Sequence, residues 1–200
     1  MSTVASDTAL TSVCLIGYGE AGKILAQGLS ATGCYVVSAH DILLNDVAAA
    51  RPMHAAAVAA GVSLHDDLAA AIADADVIIS AVTASAAHDV VMQVAGAIRP
   101  GQFFLDINSV SPALKQESYV LLTRRHARYV EAAVMASIPP YGIAVPIMLG
   151  GPHAADFMTL MEPSGMRMKV ASDDVGVASA IKMCRSEQAG ARSPTASRQP

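Results

Sequence analysis

No basic run occurs anywhere in this chain, and its 13 Lys and Arg residues are outnumbered by 17 Asp and Glu. A nucleic-acid footprint or an anionic membrane surface is recognised through clustered cations, so neither partner class is expected. Tryptophan is absent and only 15% of residues are charged. The three cysteines, Cys14, Cys34 and Cys184, form no Cys-x-x-Cys pair and have no histidine at zinc spacing. No metal site is therefore expected, and buried free thiols in a reducing cytoplasm are the expected state. Met1 to Ala9 lacks a positive region followed by an apolar one, which excludes a secretory signal there. One segment, Ala132 to Gly151, has no charge at all and is long enough to span a bilayer. Pro139, Pro140, Gly142 and Pro146 break any continuous helix through it, so two buried strands around a loop account for it better.

What the chain does have is apolar mass, 53% of its 200 residues, much of it alanine suited to close packing of helices on a sheet. The apolar run Val13-Cys14-Leu15-Ile16 leads into Gly17-Tyr18-Gly19-Glu20-Ala21-Gly22 and then an amphipathic stretch from Lys23 to Ala31. Strand, glycine turn and helix in that order are the context in which Gly-x-Gly-x-x-Gly binds a dinucleotide. Gly17 permits the tight turn, Gly19 lets backbone approach a pyrophosphate, and Gly22 lets helix and strand pack closely. Unpaired N–H groups at the helix start then face the phosphates. A second strand-like run, Tyr35 to Ala39, ends at His40-Asp41, about 20 residues beyond the last glycine. A carboxylate at Asp41 can accept from both hydroxyls of an adenine ribose and repels a 2'-phosphate, which favours NAD, with NADP as the second choice. An ordinary turn aspartate is the plain alternative.

Strand-like and helix-like runs alternate along almost the whole sequence, without internal repeat. The alternation predicts an α/β fold of the Rossmann type, a doubly wound, mostly parallel sheet with helices on both faces. Asn45 to Ala60 reads as a helix kinked or restarted at Pro52, Asp66-Asp67 as the cap of the next helix, and Ser111-Pro112 as cap and first residue of another. A further helix is expected from Asp173 through Lys182. Ligands of such sheets lie at the carboxyl ends of strands, so the loops at Gly17, Val82 and Asn108 are expected on one rim.

Four segments in this order resemble the beta-hydroxyacid dehydrogenase group, which includes 6-phosphogluconate and 3-hydroxyisobutyrate dehydrogenases. They are the loop Gly17 to Gly22, Asp106 to Pro112, Ile147-Met148-Leu149-Gly150-Gly151, and Gly176 to Ser186. The resemblance implies NAD(P)-dependent oxidation of a hydroxyl beta to a carboxylate, or the reverse reduction. It places Lys182 as the base that takes the alcohol proton, Ser109 beside the nicotinamide ribose, and Val82-Thr83 along the cofactor. A lysine can serve so only where burial or a neighbouring cation lowers its proton affinity. The group's Ser-Gly-Gly substrate loop is replaced by Met135-Ala136-Ser137, and its asparagine after the lysine by Ser186. Ser137, Arg185 and Ser186 are the substrate-contacting expectations, with Arg185 and Ser186 suited to a carboxylate or phosphate.

The implied organisation is an NAD(P)-binding domain over 1–172, the start of an interdomain helix over 173–186, and a disordered tail over 187–200. Members of the group continue into a helical second domain that supplies much of a dimer contact, so a homodimer is implied only where that domain is present. The switch at Glu187 reads as a truncated or frame-shifted continuation. Three other readings stand beside the dehydrogenase: a nucleotide-binding module without turnover, an imine reductase-like enzyme, and an interaction protein pairing through the helix at Asp174 to Ser186.

Overall fold

Alternating side chains in the short apolar runs build a sheet with two buried faces. The computed structural model describes residues 10–191, with side chains through Ser186. Its strands are β1 (Thr11–Ile16), β2 (Tyr35–His40), β3 (Ser63–His65), β4 (Val77–Ser80), β5 (Phe103–Asp106), β6 (Arg128–Val134), β7 (Pro146–Gly150) and β8 (Arg167–Ser172). They lie in the order β3-β2-β1-β4-β5-β6-β7-β8, and every pair is parallel except β6 with β7. Strand order reverses between β1 and β4, which opens a crevice at their carboxyl ends, where ligands of this architecture bind. The expected doubly wound, mostly parallel sheet is thus the observed one.

Seven α-helices cover both faces among the described residues: α1 (Glu20–Ala31), α2 (Val47–Ala60), α3 (Leu68–Ile72), α4 (Ala87–Ala97), α5 (Pro112–Thr123), α6 (Ala154–Leu160) and α7 (Val177–Ala191). Val13, Leu15, Val77, Ile79, Phe103 and Leu105 pack on one face with α1, α2 and α6. Cys14, Ile16, Ile78, Phe104 and Tyr129 pack on the other with α3, α4 and α5. The split follows the two-residue repeat of a strand. Burial on both sides also explains why these runs read as continuous apolar segments.

Four readings need correction, beginning with the thiols: Cys14 is buried as expected, but Cys34 and Cys184 are exposed. Pro52 does not restart α2, which runs without interruption from Val47 to Ala60 with the proline inside it. The carbonyl it leaves without a donor is that of Ala48, an exposed residue that water can serve. Between Asp41 and α2 the chain makes a 3-10 turn, Ile42–Asn45, capped by Asp41. Helix α7 starts at Val177, later than Asp173, and continues through Glu187 to Ala191. Glu, Gln and Ala are good helix formers, which suits a helix that continues there. The remaining residues assigned to a disordered tail, 192–200, lie outside the described residues, as do 1–9 of the first domain.

Candidate functional site

The turn after β1 is shaped by close backbone approach. Gly17 has φ +95°, and a Cβ on it would collide with the carbonyl of Ala81 at the end of β4. A Cβ on Gly22 would strike the carbonyl oxygen of Gly17, so α1 can seat on the turn only without one. Gly19 differs, because among the described residues no heavy atom beyond its chain neighbours lies within 4 Å of its would-be Cβ. That open space adjoins the start of α1, which no side chain caps. First-turn N–H groups without intrahelical partners, a positive helix end and vacant room beside Gly19 fit the diphosphate of a dinucleotide.

Asp41 ties this loop to β2. Its Oδ2 accepts from the Tyr18 backbone N–H at 2.7 Å and its Oδ1 from Leu43 N–H at 2.9 Å. Each carboxylate oxygen keeps a second lone pair for a hydroxyl. Gly17, Asp41, Asp66, Asp67, Val82 and Asp89 help line a cleft of about 440 Å³ on the crevice between the sheet halves.

A polar row crosses the sheet at the same edge. Ser80, Asp106 and Glu131 are in register on β4, β5 and β6, all pointing to the face covered by α3, α4 and α5. Lys115 reaches the row from α5, with its Nζ 2.8 Å from Asp106 Oδ1 and donating to the Asp106 carbonyl at 2.7 Å. Both side chains are buried. Burial pulls the Lys115 pKa down, and the Asp106 charge acts against that fall. The Tyr129 hydroxyl donates to Asp106 Oδ2 at 2.9 Å, and burial first, then this carboxylate, raises the phenol pKa well above its ordinary value. Asn108 completes the network: its N–H bonds Asp106 Oδ1, its Nδ2 donates to Ser80 Oγ, and its Oδ1 accepts from Val82 N–H at 2.8 Å.

Above this row stands Lys182 of α7, whose Nζ donates to Ser109 Oγ at 2.9 Å. The lysine is half-buried, and burial, followed by repulsion from Lys115, lowers its pKa below the ordinary lysine value. Three cavities meet at it. One of about 290 Å³ runs back to Ala21, Val82 and Ser109 and so joins the lysine to the glycine loop. A second, about 370 Å³, is lined by Met135, Ala136, Arg185 and Ser186. The third, about 360 Å³, lies under Ser109, Ser111, Ser179 and Ser186.

The residues expected from sequence fall into two groups. Gly17, Gly19, Ala21, Gly22, Asp41, Val82, Ser109 and Lys182 gather along the carboxyl edge, with exposed Glu20 opening α1 beside them. Arg185 and Ser186 line the cavity beyond Lys182, and Ser186 Oγ donates to the Lys182 carbonyl. Tyr18 does not offer itself to the cleft: its ring is in the core and its N–H is held by Asp41. Thr83 is exposed and pairs with Ser85, while its neighbour Ala84 takes the cavity wall. Ser137 is likewise exposed, between Ala136 and Ile138, which do line that wall. The strand β6 has ended at Val134, so strand alternation no longer sets which way these residues face. Sequence reasoning assigned no role to Lys115, Glu131 or Asn108. Glu131 alone left a signal, a single charge inside the apolar run Tyr129 to Val134.

Residues 12–162 match the NAD binding domain of 6-phosphogluconate dehydrogenase. The chain belongs to that family. No curated protein matches it. Among solved structures, this NAD-binding domain is similar to a conserved hypothetical protein from Sinorhizobium meliloti, with 33% identity and a TM-score of 0.86 over 94% of this chain and 62% of that one. It is also similar to the 3-hydroxyisobutyrate dehydrogenase of Mycobacterium tuberculosis solved with L-serine, at 23% identity, TM-score 0.76, and 88% and 59% coverage. An imine reductase from Myxococcus stipitatus in complex with NADP+ gives 20% identity, TM-score 0.75, and 90% and 61% coverage. At such identities the last two establish a shared fold. The chain spans about 60% of the length of these proteins. Among the described residues no helix is long and apolar enough to cross a membrane.

Proposed function

We propose that this domain holds NAD across the carboxyl edge of the sheet and serves a dehydrogenase acting on a small beta-hydroxyacid, with Lys182 accepting the alcohol proton. The observation that carries the reading is the Lys182 ammonium at 2.9 Å from Ser109, on a cavity that continues to Ala21 of the glycine turn. Bound NAD supplies the hydride acceptor. Gly17 to Gly22 hold its diphosphate, Asp41 its adenine ribose, and Ser109 with Val82 the nicotinamide side. Arg185 offers a cation for the substrate carboxylate on the far side of Lys182. A base must first lose its own proton, so the lowered Lys182 pKa brings turnover in the oxidising direction toward neutral pH. The rate is expected to rise with pH and level off below the ordinary lysine range.

Lys182→Met tests this role. NADH affinity should stay within about threefold, while turnover of a beta-hydroxyacid panel including L-serine and 3-hydroxyisobutyrate falls by at least ~100-fold. A Lys182→Met chain as active as the parent refutes the assignment.

Cofactor preference follows from the cleft charge. Asp41, Asp66, Asp67 and Asp89 line it, and among the described residues no Lys or Arg does. A 2'-phosphate would enter a field of carboxylates, so NADPH should bind at least ~10-fold more weakly than NADH. Asp41→Ser should narrow that gap, as read by fluorescence titration with both cofactors. Equal affinities in the parent chain would remove Asp41 as discriminator.

A second reading, a nucleotide-binding module without turnover, is favoured by one observation: Met183, Arg185 and Ser186 beside Lys182 are exposed. Water then reaches a base that needs a closed cleft. NADH binding without hydride transfer to any member of the panel selects this reading.

A further inference from the structure

Glu131 is fully buried, yet two backbone amides satisfy it in place of a direct ion pair. Gly176 N–H donates to its Oε2 at 2.6 Å and Ser179 N–H to its Oε1 at 2.7 Å. Both amides belong to the start of α7, where Gly176 has no side chain with which to cap the helix. A carboxylate from β6 takes over the capping, and its charge complements the positive helix end. The antiparallel neighbour leaves it room: Gly150 is in register with Glu131, and a Cβ there would come within 2.6 Å of Oε2. Ser179 and Lys182 are one helical turn apart and share a face. The bond that holds Ser179 therefore sets the rotation at which Lys182 meets Ser109.

We propose that Glu131 is a positioning residue whose buried carboxylate clamps the first turn of α7 and thereby aims Lys182 at Ser109. The inference rests on reading Lys182 as the proton acceptor. The charged groups around the pair are Asp106 of β5, Lys115 of α5 and Arg185 on α7 itself. Asp106 and Lys115 are matched to each other, whereas Glu131 is matched to the helix start.

The test uses the unliganded chain and reads the lysine directly. Trace acetylation with acetic anhydride across a pH series, read by mass spectrometry with Lys23 and Lys169 as internal references, gives the titration midpoint of Lys182. Hydrogen exchange on the same samples reports the amides of α7. In Glu131→Gln one backbone donor faces an amide NH2 in place of an acceptor. The Lys182 midpoint should rise by about 0.5 pH unit or more as the side chain loosens into water. The α7 amides should exchange at least ~10-fold faster while β1 and β4 hold. Glu131→Asp, which keeps the charge, should recover part of both changes. Gly150→Ala displaces the carboxylate without removing it and should move the midpoint in the same direction, so it carries the test if Glu131→Gln does not fold. An unchanged midpoint in the folded variants, or exchange rising equally in α7 and across the sheet, overturns the proposal. Neither readout involves cofactor or turnover, so failure of the dehydrogenase reading would appear separately, in the NADH titration and the substrate panel.

Discussion

Gly19→Val should leave the fold standing and remove dinucleotide binding. The backbone at Gly19 has φ −76° and ψ −158°, an extended conformation open to any residue, and among the described residues no heavy atom beyond its chain neighbours lies within 4 Å of the new Cβ. Folding therefore loses little, and the melting temperature should move by no more than a few degrees. The valine methyls instead fill the space beside the first turn of α1 that a diphosphate needs. NADH affinity should fall by at least ~100-fold, about 3 kcal/mol of binding free energy. Isothermal titration beside a thermal melt separates the two effects. Gly22→Ala supplies the contrast, because its Cβ meets backbone, the Gly17 carbonyl, which cannot swing aside as a side chain could. That variant should lose stability as well as binding. A Gly19→Val chain that binds NADH normally would place the diphosphate elsewhere and end the case for this cleft.

Lys115→Met should be the most damaging single change outside the apolar core. It strands the buried Asp106 carboxylate with only the Tyr129 hydroxyl and the Asn108 N–H as partners. Removing one member of a buried ion pair costs about 3–5 kcal/mol, since the other charge remains without compensation. For a chain of this size the melting temperature should drop by roughly 10 °C. The double variant Lys115→Met with Asp106→Asn should regain part of the loss, because the stranded charge is gone. Lys182 reports the same change differently. Repulsion from Lys115 is the second cause of its lowered pKa, after burial, so Lys115→Met should raise the Lys182 titration midpoint. A melt unchanged by Lys115→Met would mean that Asp106 and Lys115 are neutral in the folded chain.

The two predictions divide the site into parts of different legibility. The geometry of the glycine turn was readable because it is local. Gly17, Gly19 and Gly22 act through backbone conformation and missing side-chain volume within one turn, and Asp41 follows at a distance set by one helix and one strand. Ser109 and Lys182 were placed through the resemblance of whole segments, and the 2.9 Å bond between them joins positions far apart in sequence. Thr83 and Ser137 missed their cavity by one position, because periodicity does not decide which way a residue points once a strand has ended. Tyr18 missed for another reason: a loop tyrosine gives no sign that its ring will be drawn under α1 and its N–H taken by Asp41.

From the sequence alone came the order of strands and helices, the two apolar faces, the glycine turn and its acidic partner, since each depends on spacing and residue type within a few turns of chain. Tertiary structure alone decided that Lys115 of one helix, Asp106, Glu131 and Tyr129 of two strands, and the start of α7 form one buried polar layer beneath Lys182. Nothing local marks Lys115 as buried, because an ammonium leaves water only when a matched carboxylate is already waiting there. That match is made by packing between segments remote in the chain, and propensity and periodicity carry no record of it.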